Sequence, residues 1–125
     1  MKKIVFALAI FPLLIGARYY TSGTSDVPNK IKWYDFNTGF DLAQQKGKIA
    51  VIDCYTDWCG WCIKLQNEVF KTSDFEKWSK DMVLVELDFP RRTAQEEIIK
   101  TQNAQLQAMF KVRGYPSVYF VNPEK

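Results

Sequence analysis

Histidine is absent from the 125 residues of this chain. Without an imidazole, the protein cannot assemble a Ser-His or Cys-His nucleophile pair, and it cannot ligate zinc, copper or haem through histidine. The three cysteines are too few for a zinc site made of four thiolates. Proton transfer must therefore fall to carboxylates, thiols, tyrosine, lysine or water.

The excess of positive over negative charge is also small. The formal net charge is +3, and the basic residues are scattered along the chain rather than clustered. This distribution lacks the basic patch that is typical of a nucleic-acid-binding surface, so we expect no nucleic-acid partner. Hydrophobic residues make up 47% and charged residues 25% of the sequence, which is ordinary for a globular fold. The length suits one compact domain.

The N-terminus lacks a hydrophobic run long enough for a comfortable membrane span. Two lysines at positions 2 and 3 precede an apolar stretch over residues 4–17, which fits the basic and apolar regions of a secretory signal. We predict a signal peptide over residues 1–17, with an uncleaved anchor as the alternative, and a flexible leader over residues 18–30. The domain at residues 31–125 should then occupy an exported compartment, periplasmic or otherwise extracytoplasmic. Its membrane contact should be limited to the signal or anchor.

Hydrophobic periodicity predicts strands that alternate with helices. Residues 49–52 are apolar on both faces, which indicates a central parallel strand, continuing towards residue 55, with helices on each side. Alternating elements of this kind predict an α/β fold with a parallel or mixed sheet. Asn103 interrupts the last apolar stripe, so one helix and two pieces capped at Asn103 are both possible there. The predicted strands are 31–34, 49–52, 82–88 and 117–121, and the predicted helical segments are 36–46, 60–71, 73–80 and 93–112.

Two cysteines are spaced for exchange chemistry. They lie in the run Trp58-Cys59-Gly60-Trp61-Cys62, after the buried strand and at the start of a helix. A disulfide that closes so small a ring contributes little stability, because it removes little chain entropy. At a helix N-terminus, unpaired N–H groups and the helix dipole favour a thiolate on the first sulfur. We therefore predict that Cys59 is the nucleophile and that Cys62 resolves the mixed disulfide.

Other interpretations of the cysteines remain open. A c-type haem site would require histidine directly after the pair, where Ile63 stands. A structural disulfide or a metal-binding role is still possible for the pair. The third cysteine, Cys54, follows Asp53 in a predicted strand. Its side chain should point to the opposite face and form a buried, inert thiol.

Two motifs together resemble the thioredoxin family. Residues 51–62 look like the family's strand and active-site motif, in which a tryptophan precedes a Cys-X-X-Cys sequence. Residues 114–117 look like its second signature, a loop that carries a cis-proline. The similarity extends from about residue 31 to the last residue, and segments 88–90 and 103–115 look like small exported thioredoxin-like proteins of bacteria. The resemblance implies a thioredoxin-like fold with a central mixed sheet flanked by helices.

The resemblance also implies a substrate-binding surface around the cysteine pair. Pro116 would be cis and lie against the disulfide, with the backbone of Tyr115 pairing with an extended substrate strand. An ordinary trans proline at the start of a strand is the alternative. Trp58, Trp61 and Tyr115 could form an apolar rim for extended clients, and packing into the core is the alternative for the tryptophans.

Asp53 is a third candidate catalytic residue. It lies six residues before Cys59 and matches the family's buried carboxylate beneath the second sulfur. Burial would raise its pKa and make it a candidate base for Cys62, whereas a strand-end aspartate facing solvent would have no such role. Thioredoxins commonly place a lysine near this carboxylate, but here the matching residue is Glu86. Glu86 should either raise the pKa of one carboxyl group further or point outward.

The sequence ends before two elements that thioredoxin-like domains normally contain. We therefore expect a domain without the final strand and helix, in which residues 117–121 form a sheet edge.

The leading functional hypothesis is a thiol:disulfide oxidoreductase that reduces or exchanges disulfides of exported proteins. It would need no cofactor and would be recycled by a redox partner. The lack of a histidine between the cysteines favours a reductase over an oxidase. A redox-silent client-binding module, a copper(I)-binding module or an inactive fragment are the alternatives.

Overall fold

The computed structural model describes residues 31–124. The predicted signal peptide at 1–17 and leader at 18–30 lie outside the described residues and stay predictions. In chain order the elements are β1 (Trp33–Tyr34), α1 (Phe36–Lys46), β2 (Ile49–Tyr55), α2 (Gly60–Leu65), α3 (Ser73–Trp78), β3 (Met82–Asp88), α4 (Glu97–Met109) and β4 (Ser117–Val121). A π-helical turn over Gln66–Phe70 continues α2, and a 3-10 turn over Ser79–Asp81 precedes β3.

The four strands form one mixed sheet in the order β1-β3-β2-β4. Strands β1 and β2 run parallel to β3, whereas β4 runs antiparallel to β2. The predicted α/β architecture with a central mixed sheet is thereby confirmed. Within residues 31–124, β4 pairs only with β2 and lies at an edge of the sheet, as expected.

Strand β2 is buried on both faces, which confirms its predicted central position. Alternate side chains enter separate clusters: Ile52 packs in one and Val51 in the other. The first cluster includes Val85 of β3 and Leu106 of α4. The second includes Phe70, Phe75 and Leu84. The carboxyl end of a strand packed in this way is held firmly, and the cysteine motif follows that end directly.

Helix α1 has the ends that the sequence predicts. The Asp35 carboxylate accepts a hydrogen bond from the Thr38 N–H at 3.0 Å, so the first turn is capped. Gly47 ends the helix in the left-handed region, at φ 59°. A Cβ atom on Gly39 would lie 2.6 Å from the Cγ2 atom of Val85, so the helix backbone packs closely on β3.

Four elements differ from the expectations. Helices α2 and α3 end at Leu65 and Trp78 and continue as π-helical and 3-10 turns, rather than running as α-helices to residues 71 and 80. Strand β1 covers only Trp33–Tyr34, not residues 31–34. Helix α4 is a single helix that begins at Glu97 rather than near residue 93 and ends at Met109 rather than residue 112, and Asn103 does not divide it. The buried Asn103 side chain donates to the main-chain oxygen of Asp88 at 2.8 Å, so its polarity is satisfied by a tertiary contact instead of a cap. None of the helices in residues 31–124 is long and apolar enough to cross a bilayer.

Candidate active site

The cysteine pair occupies the start of α2, immediately beyond the end of β2. Cys59 is the N-cap residue of α2, and its Sγ atom accepts a hydrogen bond from the Cys62 N–H at 3.1 Å. The two residues form a disulfide, with their Cα atoms 5.2 Å apart. A sulfur that accepts a helix N-terminal N–H is in a position that favours its thiolate form after reduction.

The disulfide is nearly buried, whereas the neighbouring tryptophans are exposed. Cys59 and Cys62 are each 5% exposed, whereas Trp61 between them is 69% exposed. An apolar depression of about 340 Å³ lies beside the pair, and its lining includes Trp61, Val69 and Pro116. The peptide bond between Tyr115 and Pro116 is cis. The two predicted motifs therefore meet at this depression, although they lie more than 50 residues apart in the sequence.

Trp58 and Tyr115, the residues before Cys59 and Pro116, contact each other at the site. Their rings meet edge to face with centroids 6.2 Å apart, and the Phe89 ring lies 5.4 Å from Tyr115. The Tyr115 hydroxyl accepts a hydrogen bond from the Gln107 side chain at 2.9 Å. Trp58 is 38% exposed, so its ring packs partly on Tyr115 and partly faces solvent. The sequence left two alternatives for Trp58, a place in an exposed apolar rim or packing into the core. The observed position lies between them.

Asp53 is buried in β2. Its side chain is 2% exposed, and its Oδ1 atom has no hydrogen-bond partner among the described residues. Burial raises the pKa of Asp53 to about 6, and the negative charge of Glu86 adds to that increase. The alternative of a solvent-facing aspartate is therefore wrong. A carboxyl group with such a pKa can exchange a proton near neutral pH.

Glu86 lies directly opposite Asp53 on the adjacent strand β3. Partners in a parallel register point to the same face of a sheet, which explains how the exposed Glu86 raises the pKa of Asp53. The pKa of Glu86 is itself raised by burial and by the charge of Asp88. Both sequence expectations are partly met, because Glu86 reaches solvent and still disfavours ionisation of its neighbour.

Cys54 is fully buried within the first core cluster. Burial raises the pKa of its thiol to about 12, with a further contribution from Asp53. The thiolate is the reactive form of cysteine, so Cys54 is an inert packing residue at neutral pH. The prediction of a buried thiol is confirmed.

Asp57 organises the loop beside the disulfide, a role that we did not predict from the sequence. Its carboxylate accepts main-chain N–H groups from Arg91, Arg92 and Thr93 at 3.1, 2.9 and 3.2 Å. These donors hold the pKa of Asp57 below its ordinary value. The Arg91 guanidinium carbon lies 4.1 Å from the centroid of the Trp58 ring. The only sequence signal was an aspartate next to the motif, and its partners lie 34 to 36 residues away.

Most of the chain matches a known protein family. The thioredoxin-like domain family matches residues 36–124. The chain belongs to this family. The family assignment confirms the resemblance that the two motifs indicated.

Curated relatives carry names from disulfide chemistry. The chain is 31% identical over 96 residues to the disulfide bond reductase DsbH of Chlamydia pneumoniae, with 75% of this chain and 58% of that protein covered. It is 30% identical over 83 residues to the thiol:disulfide interchange protein DsbD of Klebsiella pneumoniae, which covers 66% of this chain and 13% of that protein. The chain therefore spans little more than half of the first relative and a small part of the second.

A solved structure shares the fold. The structure named DsbH oxidoreductase superposes with a TM-score of 0.69 at 31% identity, over 75% of this chain and 67% of that chain. The predicted thioredoxin-like fold is thereby confirmed.

Residues 31–124 contain no group of three or more cysteine, aspartate or glutamate side chains arranged to hold a metal ion.

Proposed function

We propose that this protein is a thiol:disulfide oxidoreductase that reduces or exchanges disulfides of client proteins through Cys59 and Cys62. The observation that carries the proposal is the disulfide at the start of α2, where the Cys59 sulfur accepts the Cys62 N–H. The names of the two curated relatives support the same chemistry.

The reaction uses two thiol–disulfide exchanges. The Cys59 thiolate attacks one sulfur of the client disulfide, and the other client sulfur leaves as a thiolate that takes up a proton. The Cys62 sulfur then loses its proton and attacks the Cys59 sulfur. This step releases the second client thiol and forms the Cys59–Cys62 disulfide. Two electrons pass from the dithiol to the client, and a separate redox partner must return them.

We infer that the surface around the disulfide receives an extended client segment. The depression lined by Trp61, Val69 and Pro116 offers apolar contact, and the Tyr115 backbone adjoins it along the chain. Trp58, which directly precedes Cys59, supplies a second partly exposed ring. Pro116 follows a cis bond and stands beside the cysteine helix at this depression, where the predicted substrate strand would lie.

Asp53 is the proposed base for Cys62. Its buried carboxyl group has a pKa of about 6 and an unpartnered oxygen, so it can accept the Cys62 proton at neutral pH. The sequence contains no histidine, and the buried Cys54 thiol, with a pKa of about 12, is not available as a base at neutral pH.

The proposed clients are exported proteins, and the proposed location is periplasmic or otherwise extracytoplasmic. This part of the proposal is supported by the signal-like residues 1–17. A disulfide that cycles in an oxidising compartment also requires the recycling partner named above. No bound cofactor enters either exchange step. The copper(I)-binding module remains the second candidate, since paired thiolates suit that ion.

Reduction of insulin by dithiothreitol, followed as turbidity, tests the proposed activity. We expect Cys59→Ser to abolish catalysis, because it removes the attacking thiolate. Cys62→Ser should instead accumulate a mixed disulfide with the client. Cys54→Ala is the matched control and should keep activity, because Cys54 is buried and its thiol has a pKa of about 12. Turnover that persists in Cys59→Ser would refute the assignment, and tight copper(I) retention without turnover would favour the second candidate.

A further inference from the structure

We propose that a basic groove beside the disulfide selects client segments that carry carboxylates next to their cysteine. The inference rests on the proposed oxidoreductase activity and assigns a substrate class to it. The groove has a volume of about 450 Å³ and is lined by Arg91, Lys100 and Arg113 together with Trp58 and Tyr115. Among residues 31–124, no carboxylate lines it. Its chemistry therefore matches an acidic peptide.

Two of the three cations are available to a ligand. Lys100 forms an ion pair with Glu97 at 3.3 Å, so part of its charge is already compensated. Arg91 and Arg113 form no ion pair within residues 31–124. Both side chains belong to exposed residues. Guanidinium groups can bind a carboxylate through two parallel hydrogen bonds, which makes them suited to a client side chain.

The Asp57 contacts hold Arg91 at the groove. Three successive main-chain N–H groups donate to the Asp57 carboxylate, so the loop that carries Arg91 is fixed to the residue before Trp58. The Arg91 guanidinium then stacks on the Trp58 ring. Asp57 is a nearby negative charge, but its oxygens are occupied by the loop backbone. A cation held in this way is preorganised, which reduces the entropy that a client must overcome to bind it.

The groove is tied to the proposed client surface through chain neighbours. Trp58 precedes Cys59 directly and Tyr115 precedes Pro116, so two aromatic residues that line the groove adjoin the nucleophile and the cis-proline along the chain. An extended segment whose cysteine reaches Cys59 can therefore place a neighbouring side chain among Arg91 and Arg113. Side chains on one face of an extended chain recur every second residue, about 7 Å apart. We expect the selecting carboxylates within a few positions of the client cysteine.

A pair of matched peptides tests the selection. Each is an extended peptide whose single cysteine carries a chromogenic thiol through a disulfide, with either glutamate or lysine at the positions around the cysteine. We expect the reduced wild-type protein to reduce the glutamate peptide with a kcat/KM about five-fold higher, a ratio typical of a few exposed charge pairs. The ratio should fall towards one in the Arg91→Gln/Arg113→Gln variant and in high salt. Each single variant should show an intermediate ratio.

The control is Lys71→Gln/Lys77→Gln, which removes the same net charge from exposed residues near α3. It should keep the wild-type ratio. An equal loss in this control would assign the preference to net charge and overturn the groove. A ratio near one in the wild type, or a preference that survives Arg91→Gln/Arg113→Gln, would overturn it as well.

Binding by the oxidised protein separates this inference from the proposed function. Fluorescently labelled peptides with serine in place of cysteine are titrated into the oxidised wild type and followed by anisotropy. If neither chromogenic peptide is reduced but the glutamate peptide binds in preference, the oxidoreductase proposal fails and the groove stands. If both are reduced and bound equally, the groove fails and the activity stands. Displacement of the glutamate peptide by sodium acetate more than by sodium chloride of equal ionic strength would indicate a site for free carboxylates and overturn peptide selection.

Discussion

A carboxyl group that is buried with an unpartnered oxygen resists ionisation, and Asp53 is such a group in β2. A pKa of about 6 places its titration close to neutral pH. Ordinary aspartate, with a pKa of 3.8, is too weak a base to take a thiol proton effectively. The burial that makes Asp53 costly to the fold is therefore the same property that suits it to the proposed proton transfer.

Asp53→Asn should slow resolution of the mixed disulfide. The wild-type resolving rate should rise as pH increases through about 6, because Asp53 ionises there and can accept the Cys62 proton. The asparagine variant should lose this rise and resolve about 100-fold more slowly. Acid quenching of a single turnover, followed by mass spectrometry, measures the fraction trapped as mixed disulfide. Glu86→Gln should shift the rise to lower pH, because it removes the neighbouring charge.

Asp41→Asn is the control for that experiment, since Asp41 is an exposed carboxylate on α1. It should leave both the rate and its pH dependence unchanged. An unaltered pH profile in Asp53→Asn, without accumulation of the mixed disulfide, would remove Asp53 from the mechanism.

The same residue predicts a pH-dependent stability. The pKa of Asp53 is higher in the folded state than its ordinary value, so the folded state retains a proton that the unfolded chain loses. The retained proton adds to the free energy of unfolding. This added stability is fully present below pH 3.8 and is lost as pH rises to about 6. The loss is on the order of 2–3 kcal/mol, at about 1.4 kcal/mol per pKa unit. Urea unfolding of the oxidised protein across this range should show that Asp53→Asn gains stability relative to wild type as pH increases. A difference that is constant with pH would contradict the assignment.

At the scale of elements, the close contact of α1 with β3 can be tested by comparing alanine substitutions at two glycines. Gly39→Ala should destabilise the protein by about 1–3 kcal/mol, because its Cβ atom would meet the Val85 side chain and strand β1 at Tyr34. Gly114→Ala is the control, since a Cβ atom there meets nothing within 4 Å. Thermal or urea unfolding measures both. Equal stability of the two variants would mean that α1 moves away from the sheet at little cost.

The element ends that could be predicted are those fixed by local chemistry. Helix α1 matches its predicted range 36–46, and the structure shows that both ends are fixed by near neighbours, the Asp35 carboxylate at the start and the left-handed Gly47 at the end. Strand β3 also matches its predicted range, since Pro90 lies beyond its last apolar residue.

The features that escaped prediction depend on partners distant in the sequence. Asn103 interrupts an apolar stripe, but its amide bonds to the Asp88 carbonyl 15 residues earlier, and α4 passes through it unbroken. The contact between Asp57 and the loop that carries Arg91 could not be predicted for the same reason. Only the fold brings the β3–α4 loop against Asp57 and Trp58. Periodicity reports which face of an element is apolar, and it carries no information about these pairings.

For the whole molecule, the environment of the disulfide predicts a reductant. Strongly oxidising disulfides owe their potential to a stabilised thiolate in the reduced state. Here the Cys59 sulfur accepts one helix N–H, from Cys62, and the sequence supplies no imidazole. Asp53, in its proposed position beneath Cys62, adds negative charge above pH 6 and disfavours a thiolate nearby. We therefore expect a reduction potential between about −270 and −200 mV, at the low end of the family range.

Tryptophan fluorescence can measure this potential because Trp58 precedes Cys59 and Trp61 lies between the two cysteines of the disulfide. The protein is equilibrated in glutathione and dithiothreitol buffers of known potential at pH 7, and the reduced fraction is read from the emission. Cys59→Ser/Cys62→Ser should show no redox-dependent change and so supplies the baseline. Asp53→Asn should raise the potential, because it removes the charge that opposes the thiolate. A wild-type value near about −120 mV would identify an oxidant and reverse the proposed direction of electron flow, while leaving the exchange chemistry of Cys59 and Cys62 intact.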